Sequence, residues 1–358
     1  MANKYYDILR APHQVAFDIT NNCNLRCLHC FNSSGENDVI SNELSDGEVL
    51  HFIEDLASMN LYNVCFCGGE TLLRKELMCE CIKILKPSGS HCTAVTNGLL
   101  ANPATIQQLA SAGLDGIQFS LDGLRDSHER LRNKVGIFPK VIDAMKYVLN
   151  ETGLRLSIAF TPTSFNVKDF LGVYDLLVDL YEKSNRTTGS DYIDFRLQPL
   201  MLLGRAKDNP NIVPTDAQYR WLQNINEVNL TGKCHPCIDV KWGDPIDHLV
   251  RFRDTNYFMD QVSVHANGDI VVSAYLPLVV GNVRKRSLSE YWNAGLKTIW
   301  ATNVVQYLTA RMQSVSDMEN ITTLISDINM DGCLNLDLME NDLNDLNLIK
   351  GVILEEWM

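Results

Sequence analysis

Strand-like and helix-like segments alternate along this chain from residue 15 to about residue 230, and that alternation restricts the fold more than any other feature. Between the apolar runs, apolar residues recur every three or four positions, as in amphipathic helices. Six strand–helix units with mostly short connections predict an α/β fold with a parallel sheet, curved or barrel-like, and helices outside it. The predicted strands are Val15–Thr20, Asn63–Cys67, Cys92–Thr96, Gly116–Leu121, Arg155–Thr161 and Ile193–Leu200.

Several predicted helices have recognisable ends. Ser45 and Glu48 form a capping box ahead of an apolar pattern. Pro103 opens another helix, which Gly113 closes. The remaining helices are predicted near residues 138–150, 167–181, 215–229, 288–299 and 304–313.

Three cysteines lie in the loop after the first predicted strand, where parallel α/β folds of this kind carry functional residues. Cys23, Cys27 and Cys30 stand in the order Cys-x3-Cys-x2-Cys, one thiolate fewer than the four that hold an electron-transfer cubane cluster. Iron with an open coordination site can bind a small molecule and act on it. Zinc is the competing metal, although structural zinc prefers four closed ligands.

The composition restricts the partners and the compartment. A formal net charge of −13 argues against nucleic acid or an anionic membrane as the partner, because binding phosphate needs clustered Lys and Arg. No stretch approaches a membrane span, and the N-terminal residues lack an apolar export region. Eleven cysteines without a secretion signal predict a cytoplasmic protein whose thiols serve metals or catalysis rather than a disulfide framework.

The stretch from Cys23 to Cys30, Cys-Asn-Leu-Arg-Cys-Leu-His-Cys, resembles the cluster loop of the radical S-adenosylmethionine (radical SAM) superfamily. The resemblance implies a 4Fe–4S cluster on Cys23, Cys27 and Cys30, with the aromatic His29 beside the cofactor. It also implies that S-adenosylmethionine chelates the fourth iron through its amino and carboxylate groups. One electron then cleaves the sulfonium, and the resulting 5′-deoxyadenosyl radical abstracts a hydrogen atom from the substrate.

The triplet Gly68-Gly69-Glu70 follows the second predicted strand. Glycines allow backbone to approach a ligand closely, and a carboxylate such as that of Glu70 can accept from an ammonium group. In the radical SAM family this element binds the amino group of the methionine moiety. An ordinary βα turn is the alternative interpretation of the triplet taken alone.

Polar residues at the ends of the next strands are similar to positions that line the cofactor site in that family. The resemblance assigns ribose or carboxylate contacts to Ser120 and Asp122. Arg132 is assigned to the cofactor carboxylate, with a surface ion pair as the alternative. The other candidates on this face are Thr96, Asn97, Thr161 and Gln198.

The C-terminal sequence extends the resemblance to the SPASM/twitch group, whose members add auxiliary iron–sulfur clusters and often act on peptides or proteins. The matching segments are 197–206 with its Pro…Gly-Arg-Ala stretch, a predicted Asn-Gly hairpin at 262–273, and the segments 281–283 and 288–292. The resemblance implies a partial (βα)6 TIM-like barrel with a SPASM/twitch-like extension. Its parts are an N-terminal segment at 1–14, the radical SAM core at 15–230, the auxiliary region at 231–335 and an acidic tail at 336–358.

The number of cysteines departs from the pattern of that group. After residue 150 the chain has only Cys234, Cys237 and Cys333, which excludes two fully cysteine-ligated auxiliary clusters. One auxiliary cluster stays open as an expectation, completed by Asp239, by His235 or by an open site. The absence of any auxiliary cluster also stays open, with the first two cysteines binding zinc or no metal.

Two further features concern single residues and the tail. Cys65 and Cys67 share one face of the second predicted strand, where a cysteine ordinarily acts as a small core hydrophobe. A peptide epimerase would need a thiol hydrogen donor, for which Cys333 and Cys67 are the candidates. The spacing of Leu and Ile from Cys333 to Met358 predicts an amphipathic helix with a solvated acidic face, and a partner-binding tail is the alternative.

The resemblance favours a ribosomally made precursor peptide as substrate, modified by a thioether, a crosslink, epimerisation or excision. About fourteen residues precede the first strand, so we expect a separate small protein to recognise the leader peptide. A reductant such as flavodoxin or ferredoxin is the other expected partner. Alternatives are a tetrapyrrole substrate or sulfatase maturation. A non-catalytic iron–sulfur carrier is a further alternative, which the Gly-Gly-Glu element disfavours because a carrier needs no nucleoside pocket.

Overall fold

A single eleven-stranded sheet forms the centre of the computed structural model, which describes residues 9–36, 42–186, 192–225, 235–243, 259–311, 317 and 333–349. The strands, numbered along the chain, are Gln14–Thr20 (β1), Asn63–Gly68 (β2), His91–Thr96 (β3), Gly116–Ser120 (β4), Arg155–Phe160 (β5), Ile193–Leu197 (β6), Ile238–Trp242 (β7), Gln261–Val264 (β8), Asp269–Ser273 (β9), Leu276–Asn282 (β10) and Leu334–Asn335 (β11).

The strand order is β11-β10-β9-β8-β1-β2-β3-β4-β5-β6-β7, and every neighbouring pair from β1 to β7 is parallel. The α/β fold class and the predicted parallel order of the first six strands are therefore confirmed. β7 and β11 remain the two edges of the sheet, so the partial barrel is not closed. On the other side of β1, β8 pairs parallel with it, and β8, β9 and β10 form antiparallel pairs in sequence. The predicted Asn-Gly hairpin connects β8 to β9.

Helices fill the connections between the parallel strands. They begin and end at Asp46–Ser58 (α1), Lys75–Leu85 (α2), Pro103–Ala112 (α3), Arg125–Arg132 (α4), Ile137–Glu151 (α5), Phe170–Glu182 (α6), Asp216–Asn224 (α7), Leu288–Ala294 (α8) and Asn303–Ala310 (α9). The predicted capping box is present at the start of α1. The side chain of Ser45 accepts from the backbone N–H of Glu48, and the side chain of Glu48 accepts from the backbone N–H of Ser45. Predicted helix positions 226–229, 312 and 313 lie outside the described residues.

Alternation along the strands separates an apolar face from a more polar one. In β1, Val15, Phe17 and Ile19 are completely buried, and the ring of Phe17 packs edge-on against Phe52 of α1 at 5.2 Å. Burying each such side chain contributes about 1.5–3 kcal/mol, which holds the helices against this face. The intervening Asp18 stays half-buried on the opposite face, which we call the inner face.

The prediction of an amphipathic helix in the tail is wrong for residues 333–349, the part of the tail that the structure describes. Residues 333–349 contain β11, turns and a short 3₁₀ segment at Leu346–Ile349. The carboxylates of Asp337, Asp342 and Asp345 each accept the backbone N–H two residues ahead, and such local bonds compete with helical ones. Residues 350–358 lie outside the described part. Among the helices that the structure describes, none is long and apolar enough to cross a membrane.

Candidate radical SAM active site

The three cysteines of the triad lie in the loop that follows β1, at the carboxyl end of the sheet. Backbone N–H groups point at two of the sulfurs, from Leu25 to Cys23 at 3.5 Å and from Ser34 to Cys30 at 3.4 Å. The third sulfur, of Cys27, lies 3.8 Å from Nη1 of Arg132. Each sulfur therefore has a donor that stabilises its thiolate form.

Burial opposes ionisation of these thiols in the metal-free chain. It raises the pKa of Cys27 to about 11 and also raises the pKa of Cys23. Deprotonation at neutral pH therefore needs a strong cationic partner, which is what a metal centre provides to a thiolate ligand.

The segment between β6 and α7 holds the cysteine loop from outside. The guanidinium group of Arg205 donates to the carbonyl oxygens of Cys27 and Ser34, at 3.2 Å each, and its backbone N–H donates to the carbonyl of Cys30 at 3.0 Å. Gly204 has φ +52°, and a Cβ on it would lie 2.7 Å from the carbonyl oxygen of Cys30. This is the Gly-Arg-Ala stretch, so its tertiary role is to support the triad.

The Gly-Gly-Glu element packs directly against the start of the same loop. The N–H of Gly69 donates to the carbonyl of Thr20 at 2.8 Å, and that of Glu70 donates to Asn22 at 2.9 Å. Gly68 has φ +129°, and a Cβ on it would lie 2.1 Å from the carbonyl oxygen of Thr20. Only glycine permits this close approach of two backbones.

The carboxylate of Glu70 is buried and already accepts three hydrogen bonds. The donors are the N–H of Leu72 at 3.1 Å, the hydroxyl of Thr96 at 2.7 Å and the N–H of Asn97 at 2.9 Å. Burial raises the pKa of Glu70 despite these bonds. A carboxylate offers about four acceptor positions, so one remains for a ligand donor. The side-chain amide of Asn97 continues the network to Cys23, at 3.9 Å from its sulfur.

A second network surrounds Asp122, which is completely buried at the end of β4. Its Oδ2 accepts from Nε of Arg132 at 2.6 Å, and its Oδ1 accepts from the N–H of Thr161 at 2.9 Å. Nε2 of His29 lies 4.0 Å from the same carboxylate. Burial is the largest single effect and opposes ionisation of Asp122, but Arg132, His29, His128 and the N–H of Thr161 together outweigh it, so the pKa of Asp122 is lowered.

The histidines beside Asp122 are neutral. Burial lowers the pKa of His29 and of His128 to about 4 each. Nδ1 of His128 accepts the N–H of Asp122 at 3.1 Å, so its proton resides on Nε2. Arg132 therefore supplies the positive charge next to Cys27 in this part of the site.

Four predicted site residues contribute less to these networks. Ser120 is buried at the end of β4, and Gln198 is exposed just after β6. Cys237 is buried immediately before β7, at the amino end of the parallel strands, and Cys333 immediately precedes the edge strand β11. Cys234 lies outside the described residues.

The two alternative auxiliary ligands already have partners. Nε2 of His235 lies 3.5 Å from a carboxylate oxygen of Glu182, and Asp239 pairs with Lys241 at 3.0 Å. The auxiliary cluster stays a prediction.

Comparison with known proteins bears on the same residues. Residues 17–177 match the family model described as the Radical SAM superfamily. The chain carries a radical SAM domain. A radical SAM domain implies S-adenosylmethionine and a 4Fe–4S cluster as cofactors.

The relatives of this radical SAM chain have different named activities. An AdoMet-dependent heme synthase of Methanosarcina barkeri is 24% identical over 311 residues, which are 79% of this chain and 82% of that protein. The mycofactocin maturase MftC of Mycobacterium ulcerans is 29% identical over 232 residues, 63% of this chain and 58% of that protein.

Among solved structures, Streptococcus suis SuiB bound to S-adenosylmethionine has a TM-score of 0.63 and 17% identity, covering 81% of this chain and 67% of SuiB. SuiB bound to its precursor peptide SuiA has a TM-score of 0.62 and covers 87% of this chain and 69% of SuiB, also at 17% identity. At this identity the likeness shows a shared fold.

The residues of this radical SAM domain fit the implied cofactors. Within the described ranges, no group of three His, Cys, Asp or Glu side chains could hold one metal ion, as mononuclear zinc would require. A cubane cluster instead takes each thiolate on a different iron. Two buried nitrogen atoms, Nδ2 of Asn24 and Nδ1 of His29, have no partner within the described part of the chain, and a polar ligand at this rim would satisfy them.

Sequence reasoning missed three residues that organise the site. Arg205 belongs to the Gly-Arg-Ala stretch, whose sequence does not show that it contacts the cysteine loop. His128 lies four residues before Arg132 on α4. Asn166 donates to the carbonyls of Asp122 at 2.6 Å and Thr161 at 2.9 Å. Nothing local in the sequence marks Asn166, because its contact with Asp122 joins it to a separate loop.

Proposed function

We propose that this protein is a radical SAM enzyme that modifies a ribosomally made peptide. The observation that carries the radical chemistry is the connection of the triad, through Asn97 and Arg132, to the buried carboxylates of Glu70 and Asp122. An electron carrier needs no such polar rim. When bound, the cluster and S-adenosylmethionine supply a 5′-deoxyadenosyl radical by one-electron cleavage of the sulfonium.

The chain's own residues have separable roles in this proposal. Cys23, Cys27 and Cys30 hold the cluster. Glu70 keeps one acceptor position for the methionine ammonium group, and its three protein donors fix the direction of that position. Arg132 is held by Asp122 and places positive charge beside Cys27. The remaining predicted rim residues, Ser120, Thr161 and Gln198, stay proposals as cofactor contacts.

The peptide substrate rests on relatives rather than on the site. MftC is named as a maturase, and SuiB was solved with a precursor peptide, while the fold match covers most of this chain. We expect a precursor peptide, with a separate recognition protein and a flavodoxin or ferredoxin as partners. The bond that is changed stays open among crosslink, thioether, epimerisation and excision.

A tetrapyrrole is the second candidate substrate. The heme synthase relative aligns with a larger share of this chain than the maturase does, 79% against 63%. A direct comparison separates the two candidates: co-expression with each short open reading frame beside the gene, and incubation of the reconstituted enzyme with an iron porphyrin precursor. A mass change confined to the porphyrin would contradict the peptide proposal.

The radical chemistry is tested by anaerobic reconstitution with iron, sulfide, S-adenosylmethionine and a reductant. We expect 5′-deoxyadenosine from the native enzyme and none from Cys27→Ala. The control is Cys92→Ala, since this buried residue lies on the helix-facing side of β3 and should leave the product unchanged. Iron analysis separates one cluster, about four irons per chain, from two clusters, about eight. Failure of the native enzyme to form 5′-deoxyadenosine would overturn the proposal.

A further inference from the structure

Cys65 and Cys67 form a thiol pair on the inner face of β2. Their sulfurs lie 3.5 Å apart, and both side chains are half-buried. The alternate residues Val64 and Phe66 are completely buried on the helix-facing side. Residues two apart on a strand point the same way, so the pair faces the interior of the open barrel rather than the helices.

The pair lies just beneath the proposed cofactor rim. Cys67 immediately precedes Gly68-Gly69-Glu70, the element that packs on the triad loop. Across the sheet, Cys67 is in register with Asp18 of β1, whose Oδ2 lies 3.0 Å from Nδ1 of His265. A radical that arises at the triad would therefore arise at the end of the strand that carries these thiols.

The two thiols differ in their position on the strand. They share one hydrogen bond, in which either sulfur can be the donor. Cys67 is the thiol that immediately precedes Gly68-Gly69-Glu70, so it lies closer along the strand to the proposed cofactor rim than Cys65 does. An S–H bond is weaker than the C–H, N–H and O–H bonds around it, which makes Cys67 the best hydrogen-atom donor of this face.

We propose that Cys67 is the hydrogen-atom donor that ends the substrate radical, with Cys65 as its partner thiol. The inference rests on the proposed radical SAM function and narrows it to a reaction that returns a hydrogen atom to the substrate carbon. Cys333, the other candidate donor, lies beside the edge strand β11, with β10, β9 and β8 between that strand and β1.

The step balances as follows. The S–H bond of Cys67 breaks homolytically and a C–H bond forms on the substrate, leaving a thiyl radical on Cys67. The thiol of Cys65 loses its proton to solvent. The resulting thiolate bonds to the sulfur of Cys67 and gives a disulfide radical anion. The cluster bound by the triad, oxidised after it has given one electron to S-adenosylmethionine, would take up one electron from this radical anion, and a disulfide would remain. A dithiol reductant restores both thiols with two electrons and two protons.

The strand geometry permits that disulfide. Two residues of rise in a strand separate the Cα atoms by about 6.6 Å. That separation is within the upper limit of about 6.8 Å for a disulfide. The sulfurs are already in contact at 3.5 Å, so forming the disulfide shortens a contact that the folded chain makes.

The test uses S-adenosylmethionine and dithionite alone, so that no substrate need be known. The reconstituted enzyme, freed of added thiols, turns over in D2O, where the hydrogen of Cys67 exchanges for deuterium. Without substrate, the radical takes its hydrogen atom from the nearest weak bond. We expect one deuterium in the 5′-deoxyadenosine from native enzyme and from Cys92→Ala, and about a tenfold lower deuterium content from Cys67→Ala.

Cys67→Ser keeps the size of the side chain but cannot donate a hydrogen atom, so it should lose deuterium incorporation while retaining the cluster spectrum. Unlabelled 5′-deoxyadenosine from the native enzyme, or equal labelling in Cys67→Ser, would overturn the inference and leave the proposed function standing. No 5′-deoxyadenosine at all would instead overturn the proposed function.

A second measurement tests the partner role of Cys65 in cluster-free protein. The reduced chain is oxidised briefly with diamide, its remaining thiols are alkylated, and the peptide containing residues 65–67 is examined by mass spectrometry. We expect an internal disulfide in this peptide from native protein and from Cys92→Ala. This disulfide should form at a lower diamide exposure than disulfides between other cysteines of the chain. Two alkylated cysteines in this peptide would overturn the pairing.

Discussion

The Nε atom of Arg132 donates to Oδ2 of Asp122 over 2.6 Å, while Nη1 of the same guanidinium lies 3.8 Å from the sulfur of Cys27. One side chain thus connects a buried carboxylate at the end of β4 to a cysteine in the loop after β1. Because the carboxylate is completely buried, the pair both stabilises the fold and sets the charge beside the triad.

Asp122→Asn should destabilise the chain by about 3 kcal/mol, because it leaves the buried guanidinium without its counter-charge. The amide oxygen still accepts from the N–H of Thr161, so the local backbone is preserved. Urea unfolding of the cluster-free protein measures the change. Asp143→Asn on the exposed side of α5 is the control and should change stability by less than about 0.5 kcal/mol. Equal free energies of unfolding for the two variants would contradict the prediction.

Gly69→Ala should prevent correct placement of the cysteine loop. A Cβ there would lie 2.3 Å from the carbonyl oxygen of Asn22 and 2.6 Å from that of Asn21, and backbone must move to relieve this. We expect iron incorporation to fall by about tenfold on reconstitution. Gly47→Ala is the matched control, since nothing lies within 4 Å of its Cβ in α1; it should stabilise the chain by about 0.5–1 kcal/mol. Full iron loading in Gly69→Ala would show that the close approach of Gly69 to the carbonyl oxygens of Asn21 and Asn22 does not control placement of the cysteine loop.

Glu70→Gln should weaken both the fold and the binding of S-adenosylmethionine. Replacing an oxygen by NH2 places a donor against the N–H of Asn97 or the hydroxyl of Thr96, a loss of about 1–3 kcal/mol. The affinity of the reconstituted enzyme for S-adenosylmethionine, by equilibrium dialysis, should drop about tenfold. Glu76→Gln, exposed on α2, should match the native protein in both measurements. Unchanged affinity in Glu70→Gln would remove Glu70 from the cofactor site.

The buried His128 should make the stability depend on pH. Burial lowers its pKa in the folded chain to about 4, against 6.5 when exposed. Between these values the unfolded chain binds the proton and the folded chain does not. The free energy of unfolding therefore falls as the pH drops from 6.5 towards 4, by up to about 3 kcal/mol from this residue, and its contribution is constant above 6.5.

His128→Asn should flatten that part of the profile, since the amide oxygen can accept the N–H of Asp122 without titrating. The charged neighbours of His128, namely Asp122, Arg132 and Glu129, remain in the variant. Unfolding of cluster-free protein at several pH values measures the slope. His51→Asn, at an exposed position of α1, should keep the native slope. If the free energy of unfolding of His128→Asn depended on pH as steeply as that of the native protein, His128 would not be the source of this pH dependence.

Much of the fold follows from local patterns. Alternating apolar positions were enough to place β1 to β6 in order, and the Ser45–Glu48 pair placed the start of α1. The helix predicted for the tail was wrong for a related reason. The spacing of Leu favours a helix, but the Asp side chains accept hydrogen bonds from nearby backbone N–H groups, which compete with helical hydrogen bonds. β7 was missed, because a short strand at a sheet edge has a weak pattern of its own.

The sequence by itself determined the triad, the Gly-Gly-Glu element and the parallel sheet, because spacing and periodicity are properties of neighbouring residues. Only the tertiary structure decided what Arg132 contacts, that Arg205 supports the cysteine loop, and that the sulfurs of Cys65 and Cys67 touch. These contacts join side chains from separate elements or depend on rotamers, and their geometry is set by packing of the whole sheet. No local pattern encodes a distance across the barrel.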